Sequence, residues 1–431
     1  MNVLKVLKNY AINNPEETLV CLMAAMIPFM LNVGNVSIIL ALAYALYLIF
    51  IKKIKLKQYH NFAFYFPLVY FLIIIISALT SKNVDYGIKV INKNQLFILI
   101  AFALFTFRYT QYSIKRVLIF FALSTTCATL ILIVNGCINL VAGKDSQTLF
   151  FHDFTSLYDQ HPVYFALYIA LSIFILIQYP IKLKKESILK NRLLMFSLLF
   201  ILFCGLILTA SKAVIFIFFI IVSYQILQLI KKNNQKIIVL GFIGILIMLA
   251  ANIPTIKNRF VEGIHFDFEG FKPTDNIAEA YVFNLDSKEQ ISDLELRYIF
   301  LNMGLFHVTN DHKLLFGYGV GDVQNYLDYY YMYYGLAPNW YEGYNVHNQY
   351  LQLLVSVGGV VLLFFISYLI FSFYAAIKSG NKLYLLFLIM VTFAFFFESY
   401  FERNKGIVFF IFMNTLFLID FFKYENRNIR Y

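Results

Sequence analysis

Charged residues are scarce in this chain. Of its 431 residues only 14% are charged, while 61% are hydrophobic; a soluble domain carries about 25% charged residues. That deficit excludes an ordinary soluble globule. Cysteine is scarce too. Cys21, Cys127, Cys137 and Cys204 all fall in apolar runs and none has metal-ligand spacing, so they read as small buried hydrophobes, with no metal site and no disulfide framework. No chain of Asp, Glu or His runs through the apolar stretches, which counts against a proton-coupled pump. Internal repeats, low-complexity tracts and lipidation motifs are absent. A cleavable signal is not expected either. The first apolar run, Leu19–Phe50, is far longer than a signal-peptide core, and no small-residue cleavage site follows it.

What is present is a succession of apolar runs, each long enough to cross the hydrocarbon as a helix that satisfies its own backbone hydrogen bonds. The fold class is an all-α polytopic integral membrane protein with about twelve transmembrane helices. The spans fall near 19–33, 36–51, 62–80, 88–107, 115–141, 162–179, 193–209, 213–230, 237–253, 350–376, 383–398 and 406–422. The first two join at Asn32-Val33-Gly34-Asn35. Lysine and arginine cluster in alternate connections: Lys52, Lys53, Lys55 and Lys57; Lys182, Lys184, Lys185, Lys190 and Arg192; Lys231, Lys232 and Lys236. By the positive-inside rule these connections are cytoplasmic, as are both termini. The net charge of +11 therefore reflects membrane orientation and makes no case for nucleic acid.

Three parts follow: a helical body over 1–252 with about nine spans, a large outer loop over 253–346, and the last three spans over 347–431. The loop begins acidic (Asp267, Glu269, Asp275, Glu279, Asp286) and ends rich in tyrosine, from Tyr326 through Tyr334 and on to Trp340, Tyr341 and Tyr344. Such aromatics suit an interfacial belt and equally a platform for sugar rings.

Polar groups collect at the outer ends of the spans, a pattern that favours chemistry at the surface over passage through the membrane. Thr209-Ala210-Ser211-Lys212 is a tight turn that holds Lys212 near headgroup level, where it either snorkels or meets a lipid-borne phosphate. Arg297 lies on a stretch with helical spacing. It either pairs with Asp293 or Glu295 or grips phosphate oxygens bidentately. Gly317-Tyr318-Gly319-Val320-Gly321-Asp322 is a turn, simple or phosphate-cradling. Val346-His347-Asn348-Gln349-Tyr350-Leu351 enters the tenth span. His347 would share a helix face with Leu351, Leu354 and Gly358 and can accept a proton near neutral pH, while Gly358-Gly359 would let a neighbouring helix approach. His161-Pro162-Val163-Tyr164 opens the sixth span. Lys89 and Lys93 share one face in the outer half of the fourth, facing a basic cavity or snorkelling.

In these residues the sequence resembles the O-antigen ligase and polymerase superfamily of membrane glycosyltransferases. The resemblance rests on His347-Asn348-x-Tyr350-Leu351-x-x-Leu354 with Gly358 behind it, and on Arg297 followed by Leu314-Leu315-Phe316-Gly317-Tyr318-Gly319. The Thr209–Lys212 turn and His161-Pro162-x-Tyr164 add to it, over roughly residues 160–420. The resemblance implies a metal-independent enzyme without cofactor. It would move a glycan from undecaprenyl diphosphate to an acceptor hydroxyl, on lipid A-core or another glycan, at the outer face of the bacterial inner membrane. Its partners would be that donor, that acceptor and membrane lipid. It further implies Arg297 on the diphosphate and His347 as general base or orienting group. Asn348 would fix the imidazole or line the site. Lys212 stands where relatives usually carry arginine, keeping the charge and losing the fork. His161, Tyr164, Lys89, Lys93 and Gly319 would line the substrate site. Ligase, repeat-unit polymerase and protein glycosylation stay open. A lipid-linked sugar flippase is the reading from another class, and a non-catalytic receptor a weaker one.

Overall fold

The computed structural model describes residues 10–51, 62–110, 112–181, 188–229, 271–276 and 278–428. The ninth span expected at 237–253 lies outside these residues. So do the basic clusters at Lys52–Lys57, Lys182–Lys185 and Lys231–Lys236, and the acidic pair Asp267 and Glu269. The described chain is helical: α1 Pro15–Met26, α2 Leu31–Phe50, α3 Phe62–Thr80, α4 Val84–Thr106, α5 Ser113–Val141, α6 Phe151–Thr155, α7 Pro162–Gln178, α8 Ile188–Leu208, α9 Lys212–Leu229, α10 Leu285–Gln290, α11 Asp293–Asn310, α12 Val323–Tyr333, α13 Gln349–Val357, α14 Gly359–Lys378, α15 Lys382–Ala394 and α16 Asn404–Asn428. Among the described residues six helices are long and apolar enough to cross a membrane, or seven if the bent pair around His161 counts as one span. Three shorter apolar helices accompany them, in α2, α9 and α15.

The last helix is the hub. In its most apolar stretch 89% of residues are buried, against 17% for α8, so α8 sits at the edge of the bundle. α16 packs on α4, α5, α14 and α15, and its phenylalanines interleave with Tyr168, Phe365 and Phe387. A second core of Phe271, Ile299, Phe300, Met303, Leu327, Tyr331, Tyr334 and Leu351 binds α11 and α12 to the inner face of α13. The tyrosine-rich half of the loop is thus a folded helical cap. Tyr331 and Tyr334 are core residues, while Tyr329 and Tyr344 remain exposed.

Two sequence expectations shift. The first break comes at Ile27–Met30, ahead of the expected Asn32–Asn35. Pro28 lacks an amide and disfavours helix in the residue before it. The carbonyls freed there, of Ile27, Pro28 and Phe29, accept from the Gln160 side-chain amide at 3.3, 3.0 and 3.1 Å. The tenth span, expected as one helix over 350–376, is also broken. Gly358 has φ 87°, and a Cβ there would meet the Leu315 carbonyl oxygen at 2.1 Å. What the two glycines admit is the Leu314–Phe316 loop, where a neighbouring helix was expected: the Gly359 amide donates to Leu314 O at 2.7 Å.

Candidate functional site

The site gathers where α7, α11, α13 and the α15–α16 connection meet. His347 precedes α13 and does not share its face, contrary to the helical register expected from spacing. The reason is local. Asn348 is the N-cap, its Oδ1 accepting from the amides of Tyr350 and Leu351 at 3.0 Å each, which satisfies donors that a helix start leaves orphaned. Its Nδ2 donates to Phe396 O at 3.3 Å. His347 therefore sits outside the helix with φ 48°, a left-handed conformation sparsely populated by non-glycine residues and concentrated at functional sites. Its amide is held by Asn345 Oδ1 at 3.0 Å, and its ring lies parallel to Phe300 with centroids 6.2 Å apart.

The centre of the site is a residue that motif reasoning did not name. Glu398 is 3% exposed. One of its oxygens, Oε2, lies 3.8 Å from His347 Nδ1 and 3.9 Å from His161 Nε2, beyond hydrogen-bond length yet close enough for electrostatic coupling. Burial pushes this carboxyl up, but His347 beside it and the charges of His161, His347 and Arg297 outweigh burial and hold it down at about 2. His161 moves the other way. Burial lowers it to about 4, against the pull of Glu398 and helped by Arg403, His152 and His347. At neutral pH the pair is thus an ionised carboxylate facing a neutral imidazole. Nδ1 of both histidines is buried without a hydrogen-bond partner. The signal for Glu398 was in the sequence, as a lone carboxylate in the run Phe395-Phe396-Phe397-Glu398-Ser399-Tyr400-Phe401. Such a charge is costly to bury among aromatic side chains and so points to function.

Arg297 reaches the site from α11, whose start is fixed by a capping box between Ser292 and Glu295. Its Nε donates to Phe397 O at 3.1 Å and its Nη1 to Asp293 O at 2.5 Å. Lys212, the first residue of α9, follows a turn in which Ala210 has φ 46°. It forms an ion pair with the Asp293 carboxylate at 2.9 Å. A chain of contacts thus links Lys212 to Asp293, Arg297, the Phe397–Glu398 backbone and His347. The two cations and the histidine that were singled out separately lie along this one chain of contacts.

His161 caps the start of α7, and its neighbour Tyr164 is fully buried, packed edge-on against Tyr400 at 4.5 Å. Lys93 pairs with Glu402 at 2.5 Å, at the end of the Tyr400–Glu402 turn; Lys89 is exposed one helical turn away. Gly319 lies apart from the histidines. Its amide donates to Ser356 O at 2.9 Å, and those of Val320 and Gly321 donate to Ser77 and Ser81. The Asp322 carboxylate accepts from the amides of Lys82 and Asn83 at 2.8 Å each. In this structure the glycine turn is a clip that fastens the cap to the α3–α4 connection, with its amides already bonded. Among the described residues no group of three or more His, Cys, Asp or Glu side chains is arranged to hold a metal ion.

The arrangement sets a buried carboxylate beside two imidazoles, with the Arg297 guanidinium on the adjoining Phe397 carbonyl and the Lys212 ammonium paired with Asp293. No curated protein matches the chain. Residues 196–366, from α8 into α14, match the family model for O-antigen ligase; they include Lys212, Arg297, Gly319, His347 and Asn348, while Glu398 and His161 lie outside them. Over that stretch, which is less than half of the chain, the sequence is similar to the O-antigen ligase family, and the long apolar helices are those of a membrane protein.

Proposed function

We propose that the chain is a membrane glycosyltransferase of the ligase type. It would move a glycan from undecaprenyl diphosphate to an acceptor hydroxyl, on lipid A-core or a similar acceptor, at the outer face of the bacterial inner membrane, with both termini cytoplasmic. The observation that carries this reading is the buried Glu398 carboxylate 3.8 Å from His347 Nδ1, with Arg297 bonded to the adjoining carbonyl of Phe397. A carboxylate on the Nδ1 side keeps the proton there and leaves Nε2 as the basic nitrogen. The acceptor oxygen then attacks the anomeric carbon, its proton passes to His347 Nε2, and the carbon–oxygen bond to the diphosphate breaks with its electron pair on the leaving phosphate. Charge grows on that phosphate, where fixed cations stabilise it most. Arg297 and Lys212 have that role. Asn348 holds the backbone that displays His347. His161, neutral and buried, lines the acceptor side with Tyr164 behind it. Lys89 and Lys93 meet polar parts of the substrate at the rim, and the Gly319 turn supports that rim.

The reading is tested by deleting the gene in its host and comparing surface glycan with the undecaprenyl-linked pool on a gel. Long glycan trapped on undecaprenyl beside bare acceptor is the expected result. Single repeat units on the acceptor would make the chain a polymerase. Unchanged glycan and lipid pools would remove the transfer function altogether.

A further inference from the structure

Among the described residues of the cap, and outside its helices, Leu314-Leu315-Phe316 is the most exposed apolar stretch, at 45%, 59% and 76% exposure. Three adjacent apolar side chains open to solvent are an unfavourable surface unless something apolar covers them. The backbone beneath them is rigid. Gly317 N donates to Lys313 O at 2.7 Å, Tyr318 N to Val355 O at 2.8 Å and Gly359 N to Leu314 O at 2.7 Å. The joint between α13 and α14 fills the space behind: at Gly358 and Gly317, added Cβ atoms would strike Leu315 O at 2.1 Å and the Ser356 backbone at 2.6 Å. The loop is therefore built to display its side chains at little further cost in ordering entropy.

What it displays them toward follows from its place. The loop sits on the first turn of α14, a membrane-spanning candidate. The exposed stripe of that helix, Val360, Leu363, Ile370 and Ile377, begins one residue beyond the bond from Gly359. The loop thus continues the exposed apolar face of a candidate span. Lys313, also exposed, stands at its edge as cations do at the headgroup level.

We propose that Leu314, Leu315 and Phe316 form a wedge that inserts into the acyl region of the bilayer and moors the cap to it. α13 spans nine residues between the wedge and Asn348, roughly 13 Å at about 1.5 Å per residue. On the transfer reading above, the wedge would then keep His347 within reach of a diphosphate carried at the lipid surface.

The wedge is tested apart from that reading by placing an indole in it. In a Trp340→Phe background, which removes the sole tryptophan, Phe316→Trp and, in a second protein, Leu315→Trp are reconstituted in nanodiscs with ordinary or acyl-brominated phosphatidylcholine. The expected result is blue-shifted emission that loses more than half its intensity in brominated lipid. Water-like emission, unquenched, overturns the proposal. Blue-shifted emission that brominated lipid leaves intact also overturns it, because protein would then cover the loop.

Discussion

At the scale of the residue, the site is defined by what a buried carboxylate requires of its neighbours. Glu398 costs too much to bury alone and persists because His347, His161 and Arg297 surround it. Replacing it by glutamine keeps the shape and removes the charge that orients the imidazole. Glu398→Gln should lower kcat for transfer on the order of 10²-fold with the donor KM little changed; an unaltered kcat would remove the carboxylate from the mechanism. Arg297 uses its fork twice, on Phe397 O and Asp293 O. A single ammonium cannot span both, so Arg297→Lys should lose most transfer activity, and wild-type rates would mean that the fork is dispensable. The acid dependence of stability has a definite sign. His161 is neutral in the fold down to about 4, whereas the unfolded side chain takes a proton near 6.5. The unfolded state binds more protons between those values, so stability falls as pH drops through that window. Glu398, held at about 2, adds to the same trend and loses its contribution only below the ordinary carboxylate range. Melting in detergent should show a falling Tm from pH 6.5 to 4, and His161→Gln should flatten that slope; an equally steep slope in the variant would contradict a buried neutral His161. His347, Arg297 and Lys212 stood out in the sequence because each is a polar group near the end of an apolar run. Glu398 obeys the same rule and was overlooked because no motif contains it. Its importance comes from two histidines, one 237 and one 51 positions earlier in the numbering, that only folding brings to it.

At the scale of the element, helix ends do the positioning. Asn348 terminates one backbone conformation and starts another, which is how His347 acquires its left-handed geometry. Asn348→Ala should cost about 1 kcal/mol of stability, read as a lowered Tm, whereas Asn348→Asp retains the capping oxygen and should melt near wild type. The glycine pair at 358 and 359 was legible as a place of close approach. Its partner was not, because hydropathy continues unbroken across it and only the positive φ at Gly358 reveals the break. Gly358→Ala forces a Cβ onto Leu315 O and should destabilise by about 1–3 kcal/mol; an unchanged melting transition would mean that the loop is free to move. The turn at Gly319 was likewise visible as a turn, but the destination of its amides, on α3 and α13, belongs to tertiary packing that no local pattern encodes.

At the scale of the whole molecule, the membrane character was the plainest message of the sequence, since apolar length is what a bilayer selects. The division of labour was less so. The long polar segment before the last spans folds over the end of the bundle with an aromatic core of its own. It delivers Arg297 from one side while the α15–α16 connection delivers Glu398 from the other. On the proposed function, transfer would rest on the contact between cap and bundle. The most direct test is complementation of the deletion strain with wild type, His347→Ala and Glu398→Gln, each checked for equal amounts in the membrane fraction, followed by analysis of acceptor-linked and undecaprenyl-linked glycan. We predict that wild type restores glycan on the acceptor, while both variants leave it on the lipid carrier. Full restoration by His347→Ala would contradict the account at its centre.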